Sequence, residues 1–174
     1  QKQSEARKKV TEHFNRSESF LISLGGGHDY GFPDTAGFLD AQKKSKTKPL
    51  IINFDAHMDV RPSVNGPNSG TPFRQLINEF GTSIEFVEVG IQPHCNSLHH
   101  LSWAEAHKVK ILKIDEIRKT GLLPLLKKTL KPNPKRPVFL SLDIDSFCAS
   151  LAPGCSASWP GGLRWEEMQP AWLW

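Results

Sequence analysis

Two rhythms of apolar and polar residues alternate along this chain. Short runs rich in β-branched and aromatic residues predict strands over residues 20–24, 49–54, 84–91, 109–114 and 137–142. Between them, apolar residues recur at three- and four-residue spacing, predicting helices near 5–14, 35–43, 71–80, 98–107 and 122–130. Five β/α repeats of this kind are the pattern of an α/β fold whose mainly parallel sheet is covered by crossover helices. Residues 131–137, rich in Pro and Lys, read as a loop entering the last strand.

With 174 residues, 38% of them apolar, the chain suits one domain over 1–174 with a sizeable core. Its net charge of +4 comes from dispersed Lys and Arg, concentrated only at 42–48 and 127–136. Solvated turns and helix ends account for such stretches, so nucleic acid is not expected as a partner. Cys95, Cys148 and Cys155 show no CxxC spacing and do not make a closed disulfide framework. A reducing compartment, the cytoplasm, is the expectation. No apolar run approaches the ~20 residues that span a bilayer, so no membrane partner is expected.

Candidate chemistry collects at three strand ends, where ligands of open parallel sheets bind. The run 20–24 leads into Gly25, Gly26, Gly27 and then His28, a turn with an imidazole beyond it. The run 49–54 leads into Asp55, Ala56, His57, Met58 and Asp59. In an extended backbone the first, third and fifth of these would share one face. The run 137–142 ends in Asp143, Ile144 and Asp145, again a pair on one face if extended. Carboxylates that close do not ionise together comfortably without a cation between them. Two imidazoles and four carboxylates, with no cysteine, suit Mn²⁺ or a similar ion better than structural zinc.

In order and approximate spacing, Gly-Gly-Gly-His28, Asp55-Ala-His57-Met-Asp59 and Ser-Leu-Asp143-Ile-Asp145 with the following Ala-Pro-Gly resemble the signature blocks of the ureohydrolases, the superfamily of arginases, agmatinases and formimidoylglutamases. The resemblance implies a three-layer α/β/α arginase-like fold and a homo-oligomer acting on a small amidine or guanidine. It further implies two Mn²⁺ ions that activate water: His28 and Asp59 on one, His57 and Asp145 on the other, Asp55 and Asp143 bridging. Asp59 would be the catalytic acid that protonates the departing amine.

The outer residues are most similar to the formimidoylglutamase branch. Arg61 follows Asp59 by two residues, and Ser69-Gly70-Thr71-Pro72-Phe73 stands where arginases carry a histidine proton shuttle. Gly90-Ile91-Gln92-Pro93 and Asp145-Ser-Phe147-Cys148-Ala149 point the same way. The resemblance thus assigns Arg61 and Ser69 to substrate binding. It also implies a domain incomplete at both ends, since family members carry more β/α units and a substrate-binding glutamate well beyond the third block. Glu166 and Glu167 stand too close to that block to be this residue, and the tryptophan-rich stretch 165–174 would leave a large apolar patch exposed as a true terminus. The alternatives at this point are a guanidine hydrolase with the same six ligands and a non-catalytic oligomerisation module.

Overall fold

A computed structural model describes residues 2–16 and 19–173. Trp174, at the end of the tryptophan-rich stretch, lies outside the described residues. In chain order the elements are α1 (Lys2–Arg16), α2 (Gly31–Ala41), β1 (Leu50–Phe54), α3 (Pro72–Phe80), β2 (Glu85–Ile91), α4 (Leu98–Ala106), β3 (Lys110–Lys113), α5 (Ile114–Thr120), α6 (Leu122–Thr129), β4 (Val138–Leu142) and α7 (Trp165–Trp172). The strands form one sheet in the order β3-β2-β1-β4.

The ladder is parallel. β2 pairs with β3 in parallel register, Val87 opposite Lys110 and Val89 opposite Leu112. On either side of β1, Glu85 N donates to Pro49 O and Asp55 N to Val89 O, while Leu50 N donates to Pro137 O and Asp143 N to Phe54 O. Pairings that advance together along both strands are those of parallel neighbours. β1 is central, and its Leu50, Ile51, Asn53 and Phe54 are all buried, as expected of a strand covered on both faces.

Cα packing divides the chain into two compact units. Unit 1 comprises Gln1–Ile51, Asp59–Glu85 and Arg136–Phe139. Here α1 lies against α2, and Gly37 provides the close approach: a Cβ there would meet Arg7 O and Val10. Phe14 meets Phe38 edge-on at 5.5 Å, and Phe38 lies 5.7 Å from Phe139. Arg7 fastens three helices, with Nε 2.6 Å from Asp40 and Nη2 2.6 Å from Glu79. Arg136, part of a basic stretch read as solvated, is instead half-buried and paired with Glu85.

Unit 2 comprises Ile52–Met58, Phe86–Lys135 and Leu140–Trp174. Its core gathers Val87, Val89, Ile91, Leu112, Ile117, Leu122, Leu163 and Met168, all buried. Gly90 sits at φ +91, where β2 slips a residue against β3. A Cβ there would stand 3.0 Å from Leu163 Cδ1 and 3.4 Å from Asp55 O. The left-handed backbone and the lack of room both call for glycine, so part of the Gly90-Ile91-Gln92-Pro93 motif is structural.

Two helices escaped the sequence pattern. α5 is seven residues long, too short for periodicity to register, but Asp115 and Glu116 in its first turn with Arg118 and Lys119 in its last complement the helix dipole. α7 contains Pro170 and begins where Glu167 Oε2 accepts from Arg164 N at 2.8 Å. The expected strand at 20–24 is corrected: the segment is irregular, with Phe20, Ile22 and Leu24 at 85, 68 and 94% exposure. β-rich composition expresses itself as a strand only where a neighbour supplies ladder partners, and among the described residues this segment has none. The five expected β/α repeats therefore reduce to four strands.

Candidate metal centre

In unit 2, the ends of β1 and β4 are placed by the hydrogen bonds from Asp55 N to Val89 O and from Asp143 N to Phe54 O. Beyond these points the backbone does not stay extended, which corrects the shared-face argument for both acidic motifs. Asp55 Oδ1 accepts from His57 N at 2.7 Å, and Asp143 Oδ1 accepts from Asp145 N at 2.9 Å. Each aspartate thus turns its own backbone two residues on, a local bond that competes with the ladder. Asp59, the last of the first motif, has φ +48, in the left-handed region, which aspartate tolerates better than most residues. The turns, rather than strand alternation, aim the side chains.

The result is a tight cluster. Asp55, His57 and Asp145 each offer a ligand atom, all within 4.8 Å of one another. His57 Nδ1 lies 2.9 Å from Asp145 Oδ2 and 3.6 Å from Asp55 Oδ1, and Asp145 Oδ1 also accepts from Ala56 N. Asp55 is fully buried and Asp145 nearly so. Ser146 holds the second turn, its N and Oγ both donating to Asp143 O, and Leu163 N donates to Ser146 O.

Electrostatics follow from that crowding. The His57 imidazole is pushed up to about 11, first by its hydrogen bond to Asp145 and then by that to Asp55. Burial is the main force raising the Asp145 carboxyl; the His57 hydrogen bond opposes it, and the charges of Asp55 and Asp143 add to the rise. Buried carboxylates in excess over positive charge hold a proton that water would remove. A divalent cation answers the same demand, and a donor set of carboxylate oxygens and one imidazole suits Mn²⁺.

A further pair supports Asp55 from within the sheet. Asn53 Nδ2 donates to Asp55 Oδ2 at 3.3 Å and to Glu88 Oε2 at 2.9 Å, with all three residues fully buried. These two did not figure among the sequence candidates. The signal was present: a polar residue interrupting Leu-Ile-Ile-Asn-Phe and another interrupting Phe-Val-Glu-Val are unusual in strands buried on both faces.

Unit 1 contains its own pair. His28 opens a single 3-10 turn, His28–Tyr30, that leads into α2, and its Nδ1 lies 2.9 Å from Asp59 Oδ2. The His28 ring meets Phe73 edge-on at 5.2 Å. Asp59 O accepts from Phe73 N and Val60 O from Arg74 Nη1, strapping 59–60 to the start of α3. Arg61 is exposed, its N donating to Gly70 O at 2.9 Å. Ser69 is exposed in the adjoining turn. Neither Gly25 nor Gly26 is crowded, so close packing does not explain them.

The remaining histidines stay out of these clusters. His107 stacks on Trp103 at 4.0 Å and His94 packs on Trp159 at 4.5 Å. The three cysteines are free thiols. Glu167, which caps α7, also lies 3.7 Å from Arg118 Nε, a structural role.

Comparison with known proteins gives a consistent context. The sequence model of the arginase family matches residues 2–172. The formimidoylglutamase of Bacillus subtilis is 37% identical over 154 residues, covering 86% of this chain and 47% of that protein. The proclavaminate amidinohydrolase of Streptomyces clavuligerus is 29% identical over 156 residues, 88% of this chain and 49% of that one. Among solved structures, the Trypanosoma cruzi formiminoglutamase with two Mn²⁺ superposes with a TM-score of 0.82 at 31% identity, over 95% of this chain and 55% of that chain. The chain spans about half the length of the curated relatives it matches.

Proposed function

We propose, because this chain belongs to the arginase family, that it carries the metal-binding part of a hydrolase cleaving an amidine C–N bond, converting N-formimidoyl-L-glutamate and water to L-glutamate and formamide. The observation that carries the reading is the buried Asp55–His57–Asp145 cluster, whose excess of negative charge calls for a bound cation. Residues 1–174 would act as one arginase-like domain.

His28, Asp55, His57, Asp59, Asp143 and Asp145 would hold two Mn²⁺ ions, with Asp55 and Asp143 shared. When bound, such a pair supplies Lewis-acid polarisation and lowers the pKa of water into the neutral range. Asp59 accepts a proton from the attacking water and delivers it to the glutamate nitrogen as the C–N bond breaks and a C–O bond forms. His28, 2.9 Å away, orients that carboxylate. Asn53, itself bonded to Glu88, holds Asp55 through its hydrogen bond to Oδ2. Arg61 receives a substrate carboxylate through its planar fork, and the Ser69 hydroxyl donates a hydrogen bond beside it.

Formimidoyl-glutamate has two carboxylates, arginine one and agmatine none, so an exposed Arg61 favours the first. Identity of 37% to a formimidoylglutamase supports the same choice. A second reading, hydrolysis of a guanidine, uses the same six ligands and draws on the 29% identity to a proclavaminate amidinohydrolase. The substrate is then a small molecule in either case, and we place the protein in the cytoplasm as a homo-oligomer. Free thiols support a reducing compartment, and among the described residues no helix is long and apolar enough to cross a membrane. Parallel assays of the naturally expressed protein on formimidoyl-glutamate, arginine and agmatine decide the substrate. Preference for formimidoyl-glutamate is expected; preference for either of the others transfers the assignment to guanidine hydrolysis.

A further inference from the structure

We infer that Gly70 is a specificity-positioning residue: the absence of a side chain there leaves the space in which Arg61 lies, and so sets where its guanidinium meets the carboxylate of an amidine substrate. This rests on the reading of Arg61 as a substrate contact.

The geometry is local to unit 1. A Cβ on Gly70 would stand 2.8 Å from Arg61 Cδ, 2.9 Å from Nε and 3.3 Å from Cζ. These three are its nearest neighbours, so the room left by the missing methyl is taken by the Arg61 side chain itself. The backbone does not otherwise demand glycine, because Gly70 is not among the glycines with positive φ. Its place is fixed from both sides: Gly70 O accepts from Arg61 N at 2.9 Å, and Gly70 N donates to Asn68 Oδ1 at 3.0 Å. Thr71 Oγ1 donates to Asn68 O at 2.9 Å, completing a closed turn. Gly70 is a buried floor beneath an exposed arginine.

Two consequences follow. First, the stem of Arg61 rests on a rigid surface, on a segment strapped to α3 through Asp59 O and Val60 O. A long side chain ordered before binding loses less freedom on meeting its ligand. Second, the guanidinium forms no hydrogen bond or ion pair with the described residues, so its fork is open to a carboxylate beyond the reacting carbon. Alanine at 70 would collide with atoms near the end of a flexible side chain, which can swing aside. The turn is then kept while the cation is moved.

The test is a double-mutant cycle in the naturally expressed protein, with kcat and KM for N-formimidoyl-L-glutamate and thermal melting of wild type, Arg61→Ala, Gly70→Ala and the double variant. Arg61→Ala should raise KM by roughly tenfold to a hundredfold, the range of a charge-assisted hydrogen bond. Gly70→Ala should raise KM at least about fivefold, with a smaller change in kcat, as displacement of a binding group requires. In the double variant KM should match Arg61→Ala alone. If Gly70→Ala does not fold by itself, a double variant that folds with the KM of Arg61→Ala supports the inference, and one that fails to fold overturns it. Arg61→Ala with a raised KM and Gly70→Ala without one overturns the role of Gly70 and leaves that of Arg61 standing. Additive effects in the double variant overturn it as well, since Gly70 would then act by another route. An unaltered KM in Arg61→Ala removes both assignments.

Discussion

His57 Nδ1 and Asp145 Oδ2 stand 2.9 Å apart, joining the turn that follows β1 to the turn that follows β4. Each turn is made by an aspartate bonding its own chain, at Asp55 and Asp143. Parallel adjacency of β1 and β4 brings the turns side by side, and local Asx geometry lets an imidazole from one meet a carboxylate from the other.

Metal should stabilise this protein. The cluster gathers buried carboxylates that repel one another without a cation, and binding to the native state adds RT ln(1 + [L]/Kd), about 2.7 kcal/mol at a hundredfold excess over Kd. Metal analysis should find two equivalents of Mn²⁺, and melting should shift upward with Mn²⁺ and fall back with chelator. No bound metal and no shift would remove the binuclear centre.

Under the proposed reading, Asp143→Ala would take away a shared metal ligand along with the acceptor that turns Ile144–Ser146, and Asp59→Ala would take away a ligand and the acid. Each should abolish nearly all turnover, whereas His107→Ala, which removes an exposed ring stacked on Trp103 and its hydrogen bond to Trp103 O away from the cluster, should leave it within about twofold. Steady-state kinetics with metal content measured in parallel reads this. Substantial turnover in Asp143→Ala is incompatible with a shared-ligand site.

Gly90→Ala should cost about 1–3 kcal/mol, since φ +91 disfavours any Cβ and Leu163 stands 3.0 Å from where it would be. Gly154→Ala, where nothing lies within 4 Å, should be neutral or slightly stabilising. Denaturant unfolding of the two variants checks the contrast, and equal stabilities would contradict the bulge as described.

The Asp40 carboxyl lies below its ordinary value, first through its hydrogen bond to Arg7 and despite some burial. A depressed acid contributes stability that is present above its unfolded pKa, near 3.8, and is lost as pH falls through its folded value. Arg7→Ala should therefore lower stability by about 1–2 kcal/mol near neutral pH, partial exposure limiting the effect, and the gap should narrow as pH falls below 3.8 and on through the folded value. Melting temperatures of both proteins between pH 2.5 and 7 measure it; a gap that widens with acid would refute the assignment.

Much of this protein was legible in its sequence, for physical reasons that can be named. β1 and β2 lie in runs whose burial on both faces demands continuous apolar residues, β3 and β4 lie in short β-rich runs that are only partly buried, and α3 and α6 carry apolar spacings that bury Phe73, Leu76, Ile77, Leu122 and Leu126. The acidic and imidazole residues at two strand ends stood out because such groups do not follow a buried strand by chance. Tertiary structure alone decided the rest. Residues 20–24 have strand composition without a ladder partner among the described residues, α5 is shorter than the window in which periodicity shows, and Asp59 adopts a left-handed φ that strand alternation cannot anticipate. Gly70 reads in sequence as one more turn residue; only the fold lays Arg61 across it. Composition and spacing report which residues must be buried and which are chemically capable. Where a side chain points depends on turns and contacts made by residues far apart in the chain, and that information exists only once the chain has folded.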